Sequence, residues 1–380
     1  MFDRRRFLTG AAGIAAMAVP KISFAAPAPT NRRFIFLIQR GAADGLHILA
    51  PTGDPAFAAV RSSFMASLEG GAPLGGSFFT LHPALQRVGA LYAAKQARFF
   101  HATASAYRDR SHFDGQNILE TGATRPFAEK SGWMNRLVGQ LPDSEARGMA
   151  LASALPMAMR GPAQIATYAP SDQNAPSDDL MMRISSLYAQ DPQLATLWKS
   201  ALETEELTDG IRQNKRDATA LGTLAAQLLL PDDGARVMMI ESNGWDMHGA
   251  QVGRMNRQLK TLDLMIGALV DGLGPIWADT MLLVATEFGR TVAVNGTQGT
   301  DHGTGGLTML LGGQLAGGGR IDADWPGLNM AALLDGRDLR PTMATEAIIA
   351  GALATHFGLD PGRLLPRLYP DQKSIKPLIV

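Results

Sequence analysis

Two short stretches of this chain carry residues able to do chemistry together: Asp246-Met247-His248, and His302 about fifty residues later within Gly299-Thr300-Asp301-His302-Gly303. Carboxylate and imidazole side chains are ligands for zinc, manganese or iron, and a site shared between two loops of a rigid sheet fixes their geometry. Cysteine is absent. Thiolate zinc sites, iron–sulfur clusters, cysteine nucleophiles and disulfides are therefore excluded, and any metal must take His, Asp, Glu or other oxygen ligands. The other histidines lack such company. His82 lies beside Pro83 in a turn, His356 falls late in a Leu/Ala-rich helix, and His101 sits within an apolar run, so all three read as structural; His47 is left open.

The residues that would complete such a site follow apolar runs. Arg33–Ile38, Ala97–Ala102, Arg236–Ile240, Thr280–Ala285 and Leu307–Leu311 each read as a strand buried on both faces. Between the third and fourth, Met255, Leu259, Leu262, Met265, Ile266, Leu269 and Val270 recur at helical spacing, with Gln251, Arg254, Arg257 and Lys260 on the other face. Strand, crossover helix and strand make a parallel unit. Further helices are expected over about Ile211–Leu229 and Met343–Phe357. The stretch from Leu155 to Asp191, rich in Pro, Ser, Asp and Met, reads as an insertion or lid.

In an open parallel sheet, ligands bind at the carboxyl ends of the strands. The segments after the runs are Gln39–Gly45, Tyr107–Gln116, Ser242–His248 and Thr286–Arg290, so acidic and histidine residues converge on one edge. Ser111 is either an activated hydroxyl or the N-cap of the helix that Gln116-Asn117-Ile118-Leu119-Glu120 continues. Arg40, Arg110 and Arg290 are either bidentate clamps for an anionic group or partners in salt bridges that hold the fold.

Composition narrows the function classes. The chain has 380 residues, 46% hydrophobic and 18% charged, with Lys+Arg and Asp+Glu both at 35, which is globular and carries no basic footprint for nucleic acid. Asp3-Arg4-Arg5-Arg6-Phe7-Leu8 resembles a twin-arginine export signal; a short apolar stretch to Pro20 and small residues at Ser23 and Ala25 suit cleavage after Ala25. Residues 1–25 are thus expected to be a signal peptide and 26–380 the exported, periplasmic chain, with the twin-arginine machinery as partner and no transmembrane segment.

The twin-arginine leader, Arg40-Gly-Ala-Ala-Asp-Gly, Arg110-Ser-His-Phe-Asp-Gly-Gln, Gly244-Trp-Asp-Met-His, Thr286-Glu-Phe-Gly-Arg and Gly299-Thr-Asp-His-Gly together resemble the exported family known as domain of unknown function 1501. That family in turn resembles the alkaline phosphatase and sulfatase superfamily. The resemblance implies a three-layer α/β/α sandwich with a mainly parallel sheet. It also implies Asp44 as a metal-binding Asp, Ser111 near the nucleophile, and Asp246, His248 and His302 as ligands of one metal, zinc or manganese first. Asp44 and Glu287 would then form a second position beside Ser111, suited to magnesium, manganese or calcium.

The sequence departs from the superfamily at Glu287-Phe288, where an Asp-His pair is usual, and lacks the Pro and Arg that would follow a formylglycine-forming residue at Ser111. The implied activity is metal-assisted displacement on a small phosphate or sulfate ester, with Ser111, Arg110 and Arg290 in catalytic roles. The alternative is a non-catalytic metal- or ligand-binding envelope protein on a degenerate version of the fold. A third reading, a carbohydrate-active protein, rests on Trp133 and Trp245 being exposed.

Overall fold

The computed structural model describes residues 31–142, 147–169, 217–372 and 374–378, with isolated positions between 184 and 195. The leader, about half of the 155–191 stretch and residues 211–216 of the expected 211–229 helix lie outside the described residues.

The first strand, β1 (Arg33–Gln39), is buried along its whole length and sets the layering. Successive side chains of a strand point to opposite faces. Phe34, Phe36 and Ile38 enter one apolar core, while Ile35 and Leu37 enter the other. Around β1 stand β5 (Ala97–Ala104), β6 (Gly148–Leu151), β7 (Ile165–Tyr168), β8 (Val237–Ser242), β9 (Thr280–Ala285), β10 (Gly306–Gly312), β11 (Arg320–Asp322) and β12 (Met343–Ala344). Among the described residues they form one nine-stranded sheet, in the order β11-β5-β10-β9-β1-β8-β6-β7, with β12 also beside β5. The short strands β2 (Leu49–Ala50), β3 (Ala72–Leu74) and β4 (Phe79–Leu81) make a separate small sheet.

Helices cover both faces. On the Ile35/Leu37 side lie α6 (Ala218–Leu229) and α7 (Gln251–Leu273), whose Met255, Leu259, Leu262 and Ile266 are buried in the core that contains Leu224 and Leu228. On the Phe34/Phe36 side lie α5 (Trp133–Val138), α8 (Thr345–Phe357) and α9 (Pro361–Leu368). The molecule is thus a three-layer α/β/α sandwich, as expected. The segment Gln251–Asp279 is long and apolar enough to cross a membrane by length and composition alone, but here its apolar face is spent on this core.

Every pairing in the main sheet is parallel except those of β10, which runs antiparallel to β9 and β5. This reversal positions the site. The segment 286–305 leaves the carboxyl end of β9 and enters β10 at the same edge, so Glu287, Arg290, Asp301 and His302 stay there without a crossover. The carboxyl ends of β1, β5 and β8 open onto that edge too, in register through Gln39↔Ser242, Ile38↔Ala285 and Thr103↔Gly306.

The described part of the 155–191 stretch includes β7, an edge strand parallel to β6. One expectation is corrected. Trp133 and Trp245 are both fully buried, with their indole N–H groups donating to Leu119 O and Ser242 Oγ, so they offer no surface to a sugar.

Candidate metal centre

Helix α4 (His112–Thr121) begins just past the carboxyl end of β5, and its first residue turns an imidazole toward the loops after β8 and β9. His112, Asp246 and His302 offer ligand atoms that all lie within 4.8 Å of one another. His248 joins them: its Nε2 is 2.9 Å from Asp246 Oδ1 and 2.9 Å from His302 Nε2. His302 Nε2 is 3.3 Å from Asp246 Oδ1, and His112 Nε2 is 3.5 Å from Asp246 Oδ2. His112 also packs edge-on against His302, with ring centroids 4.3 Å apart.

The outer nitrogens fix how these rings present themselves. His112 Nδ1 lies 2.8 Å from Glu287 Oε1, His248 Nδ1 lies 3.0 Å from Asp301 Oδ1, and His302 Nδ1 lies 2.9 Å from the Arg110 carbonyl. Each of those partners can only accept, so each Nδ1 carries the proton. In a neutral imidazole the other nitrogen is then a bare acceptor. Three Nε2 lone pairs therefore face one carboxylate. His112 Nε2 is buried with no hydrogen-bond partner.

Acceptors crowded together with so few donors repel one another unless a cation joins them. A tetrahedral ion with bonds of about 2.0–2.1 Å sets ligand-to-ligand edges of roughly 3.3 Å, which the observed separations straddle. The residues present fit one divalent metal, with the ligand atoms of His112, Asp246 and His302 converging and His248 beside Asp246 and His302.

Electrostatics prepare the group unevenly. Burial alone would raise the Asp246 carboxyl, but the hydrogen bond and charge of Arg290, helped by His248, hold it below the ordinary carboxylate range. His112 is pushed up, chiefly by its hydrogen bond to Glu287, against the opposing effect of burial. His302 is pushed down, chiefly by burial.

The other expected residues are placed elsewhere. Glu287 is buried behind His112, where Oε1 accepts from His112, from Gly41 N–H at 2.8 Å and from Gln116 at 3.0 Å, while Oε2 accepts from Thr286 at 2.9 Å. Its link to the group runs through His112 Nδ1. Asp44 caps the single turn Gly45–Ile48 and is paired with Arg61 at 2.6 Å, so it is not brought to the other four. Ser111 is the N-cap residue of α4 but makes no side-chain capping bond; its N–H donates to the Tyr107 hydroxyl. Phe288 stacks under His112 at 5.1 Å and contacts His302 at 5.3 Å.

All three arginines have carboxylate partners. Arg290 is 1% exposed and bound to Asp246 at 2.6 Å and to Thr300. Arg110 reaches Asp338 at 2.7 Å, and Arg40 reaches Glu120 and Glu241. The salt-bridge alternative describes them. His82, His101 and His356 are buried and hydrogen-bonded to backbone, and His47 stacks on Phe64 with its Nε2 at 2.8 Å from Ser67 Oγ.

His112 was missed at the level of sequence because Ser111 drew the chemical reading of that motif. The available signal was an imidazole at the first turn of a helix entered directly from a strand.

A mixed α/β sandwich with a histidine–carboxylate centre at the strand ends is the class this geometry defines. Residues 31–368 match the model of one family, and the chain belongs to it: protein of unknown function, DUF1501. Among curated proteins nothing matches. Of solved structures, the chain is similar to the zinc complex of the C-terminal periplasmic domain of EcEptC from Escherichia coli, at 8% identity and a TM-score of 0.37, covering 74% of this chain and 72% of that one. It is also similar to a protein in the alkaline phosphatase superfamily from Vibrio parahaemolyticus, at 13% identity and a TM-score of 0.36, covering 82% and 68%.

Proposed function

We propose that this protein is an exported, metal-dependent hydrolase acting on a phosphate or sulfate ester, with zinc or manganese held by His112, Asp246, His248 and His302. The observation that carries the metal is the convergence of three Nε2 lone pairs on Asp246, each ring locked by an outward Nδ1 hydrogen bond. A bound divalent ion would supply Lewis acidity and lower the pKa of a hydroxyl or water beside it. Ser111, one residue before His112 and without a capping bond, is proposed as the hydroxyl that attacks the ester. Glu287 holds the His112 proton at Nδ1, and Arg290 holds Asp246 in its ionised form.

The test is turnover against a panel of phosphate monoesters, phosphate diesters and sulfate esters, with Ser111→Ala, His302→Ala and a chelated sample beside the wild type. Turnover lost in all three supports the reading. Turnover that survives chelation and both substitutions removes it.

One observation favours the second reading, a metal- or ligand-binding envelope protein without turnover. Arg40, Arg110 and Arg290, the expected anion clamps, are all engaged with carboxylates. Metal bound without turnover on any ester in the panel selects it. Export is proposed from the Arg4-Arg5-Arg6 leader. Replacing all three arginines by lysine should trap the precursor inside the cell, and normal delivery of that variant would refute the route.

A further inference from the structure

We infer that the centre takes a single divalent ion, and that the Arg61 guanidinium stands in for a second cation at Asp44 and acts through a buried hydrogen-bond chain to position Asp246. This rests on the metal reading above and specifies its stoichiometry and its remote support.

A second ion would need open carboxylate lone pairs; Asp44 has none to spare, and Glu287 is committed to His112. Asp44 is 2% exposed and Arg61 is 1% exposed. Arg61 approaches end-on, with Nη1 at 2.6 Å from Oδ2 and Nη2 at 3.2 Å from Oδ1. Gln251 Nε2 donates to Oδ2 at 2.6 Å and Leu46 N–H to Oδ1 at 3.2 Å. Four donors fill the roughly four lone-pair sites of a carboxylate. Glu287 is buried and turned to His112: its Oε1 takes the donors of His112, Gly41 and Gln116, and Oε2 shares the Thr286 hydroxyl with Gln39 O. Nor can Arg61 step aside, because Nε and Nη2 also donate to the carbonyls of Val292 and Thr291 at 2.5 and 2.7 Å. A guanidinium keeps its charge at any physiological pH, so the cation at Asp44 is permanent.

The pair is also wired to the centre. Gln251 gives its amide N–H to Asp44, which turns its Oε1 toward Thr300; the Thr300 hydroxyl donates to that oxygen at 2.7 Å. With its proton so committed, Thr300 Oγ1 accepts from Arg290 Nε at 3.1 Å, and Arg290 Nη1 reaches Asp246 Oδ1 at 2.6 Å. Gln251, Thr300 and Arg290 are all essentially inaccessible to solvent. Each donor-to-acceptor choice along this chain is forced by the one before it. Arg61, Asp44, Gln251 and Thr300 are thus positioning residues for a metal ligand that none of them touches.

The experiment strips the full-length mature chain with a chelator and titrates it with zinc and, separately, manganese by calorimetry, with elemental analysis of the dialysed product. One ion per chain is the expected result. Two ions overturn this inference while leaving the metal reading intact, and none removes both.

Thr300→Val keeps the side-chain shape but breaks the chain, and should weaken the single site about tenfold and alter the visible spectrum of its cobalt-substituted form. Thr300→Ser, which retains the hydroxyl, should restore both. Val and Ser variants with the same affinity and spectrum would overturn the relay. Should the valine variant fail to fold, Gln251→Met breaks the same chain one link earlier, with the same expected and refuting outcomes.

Discussion

Glu287 and His112 lie 175 positions apart in sequence, and the structure joins them by a 2.8 Å bond from Nδ1–H to Oε1 that aims the imidazole Nε2 at Asp246. The same bond is the chief reason that His112 holds its proton more tightly than an ordinary imidazole. A metal must displace the second proton, the one on Nε2, so binding should weaken as pH falls through a range above about 6.5. Glu287→Gln should lose roughly tenfold to a hundredfold in affinity at pH 8 and move the pH midpoint of binding downward. Calorimetric titrations at several pH values would check this, and an unmoved midpoint would count against the orienting role.

The buried Arg61–Asp44 pair makes a separate statement about stability. Removing one partner of such a pair strands the other charge in the interior, at a cost of about 3–5 kcal/mol. Arg61→Met should lower the urea midpoint accordingly, and Arg61→Met combined with Asp44→Leu should recover much of the loss. A single variant as stable as the wild type would show that Asp44 has some other compensation.

Acid sensitivity follows from the buried histidines. His47 is lowered to about 3, and His82, His101 and His356 to about 4, in each case chiefly by burial. The unfolded chain takes up these protons near pH 6.5 and the folded chain does not, so stability is lost as pH falls from about 6.5 toward 4. Glu346 acts in the opposite sense, since burial raises it to about 7 and the folded state keeps its proton where the unfolded state has lost it. Four imidazoles outweigh one carboxyl. The denaturation midpoint of the metal-free protein should rise with pH between 4 and 6.5, and a flat profile there would contradict the burial of these side chains.

Gly41 offers a steric test of the centre. Its φ is +115°, and a Cβ there would sit 2.5 Å from the Asp246 backbone nitrogen. Gly41→Ala should therefore displace Asp246, lowering metal affinity and costing about 1–3 kcal/mol of stability. Unchanged affinity would place Asp246 outside the ligand set.

The central strands were legible because burial on both faces leaves an uninterrupted apolar run, as in Phe34–Ile38 and Met281–Ala285. The two strands beyond β8 were not: β6 reads Gly-Met-Ala-Leu and β7 Ile-Ala-Thr-Tyr, four residues each, too short to separate from loop. Strand direction is also silent in periodicity, which is why the reversal of β10 emerges only from its partners. For the site, the Asp246-Met247-His248 spacing and His302 were readable as local chemistry. Whether a carboxylate meets a metal, an imidazole or a guanidinium depends on what arrives from elsewhere. Nothing in the sequence around Arg61 marks it as the partner of Asp44, or marks Glu287 as the partner of His112.

The placement of β1 between β8 and β9 has a kinetic consequence. Phe34 lies opposite Val237 on one side and Met281 on the other, so this early strand meets the first of its two neighbours only after about two hundred further residues have been made. At roughly 5–20 residues per second, a ribosome needs some 10–40 seconds to deliver them. Throughout that interval an almost wholly apolar strand is without either lateral partner, and pairings this distant in sequence close slowly in any case. Assembly of the sheet around β1 is therefore the step at which this chain is most exposed to aggregation, and the four metal-holding side chains meet only once it is complete.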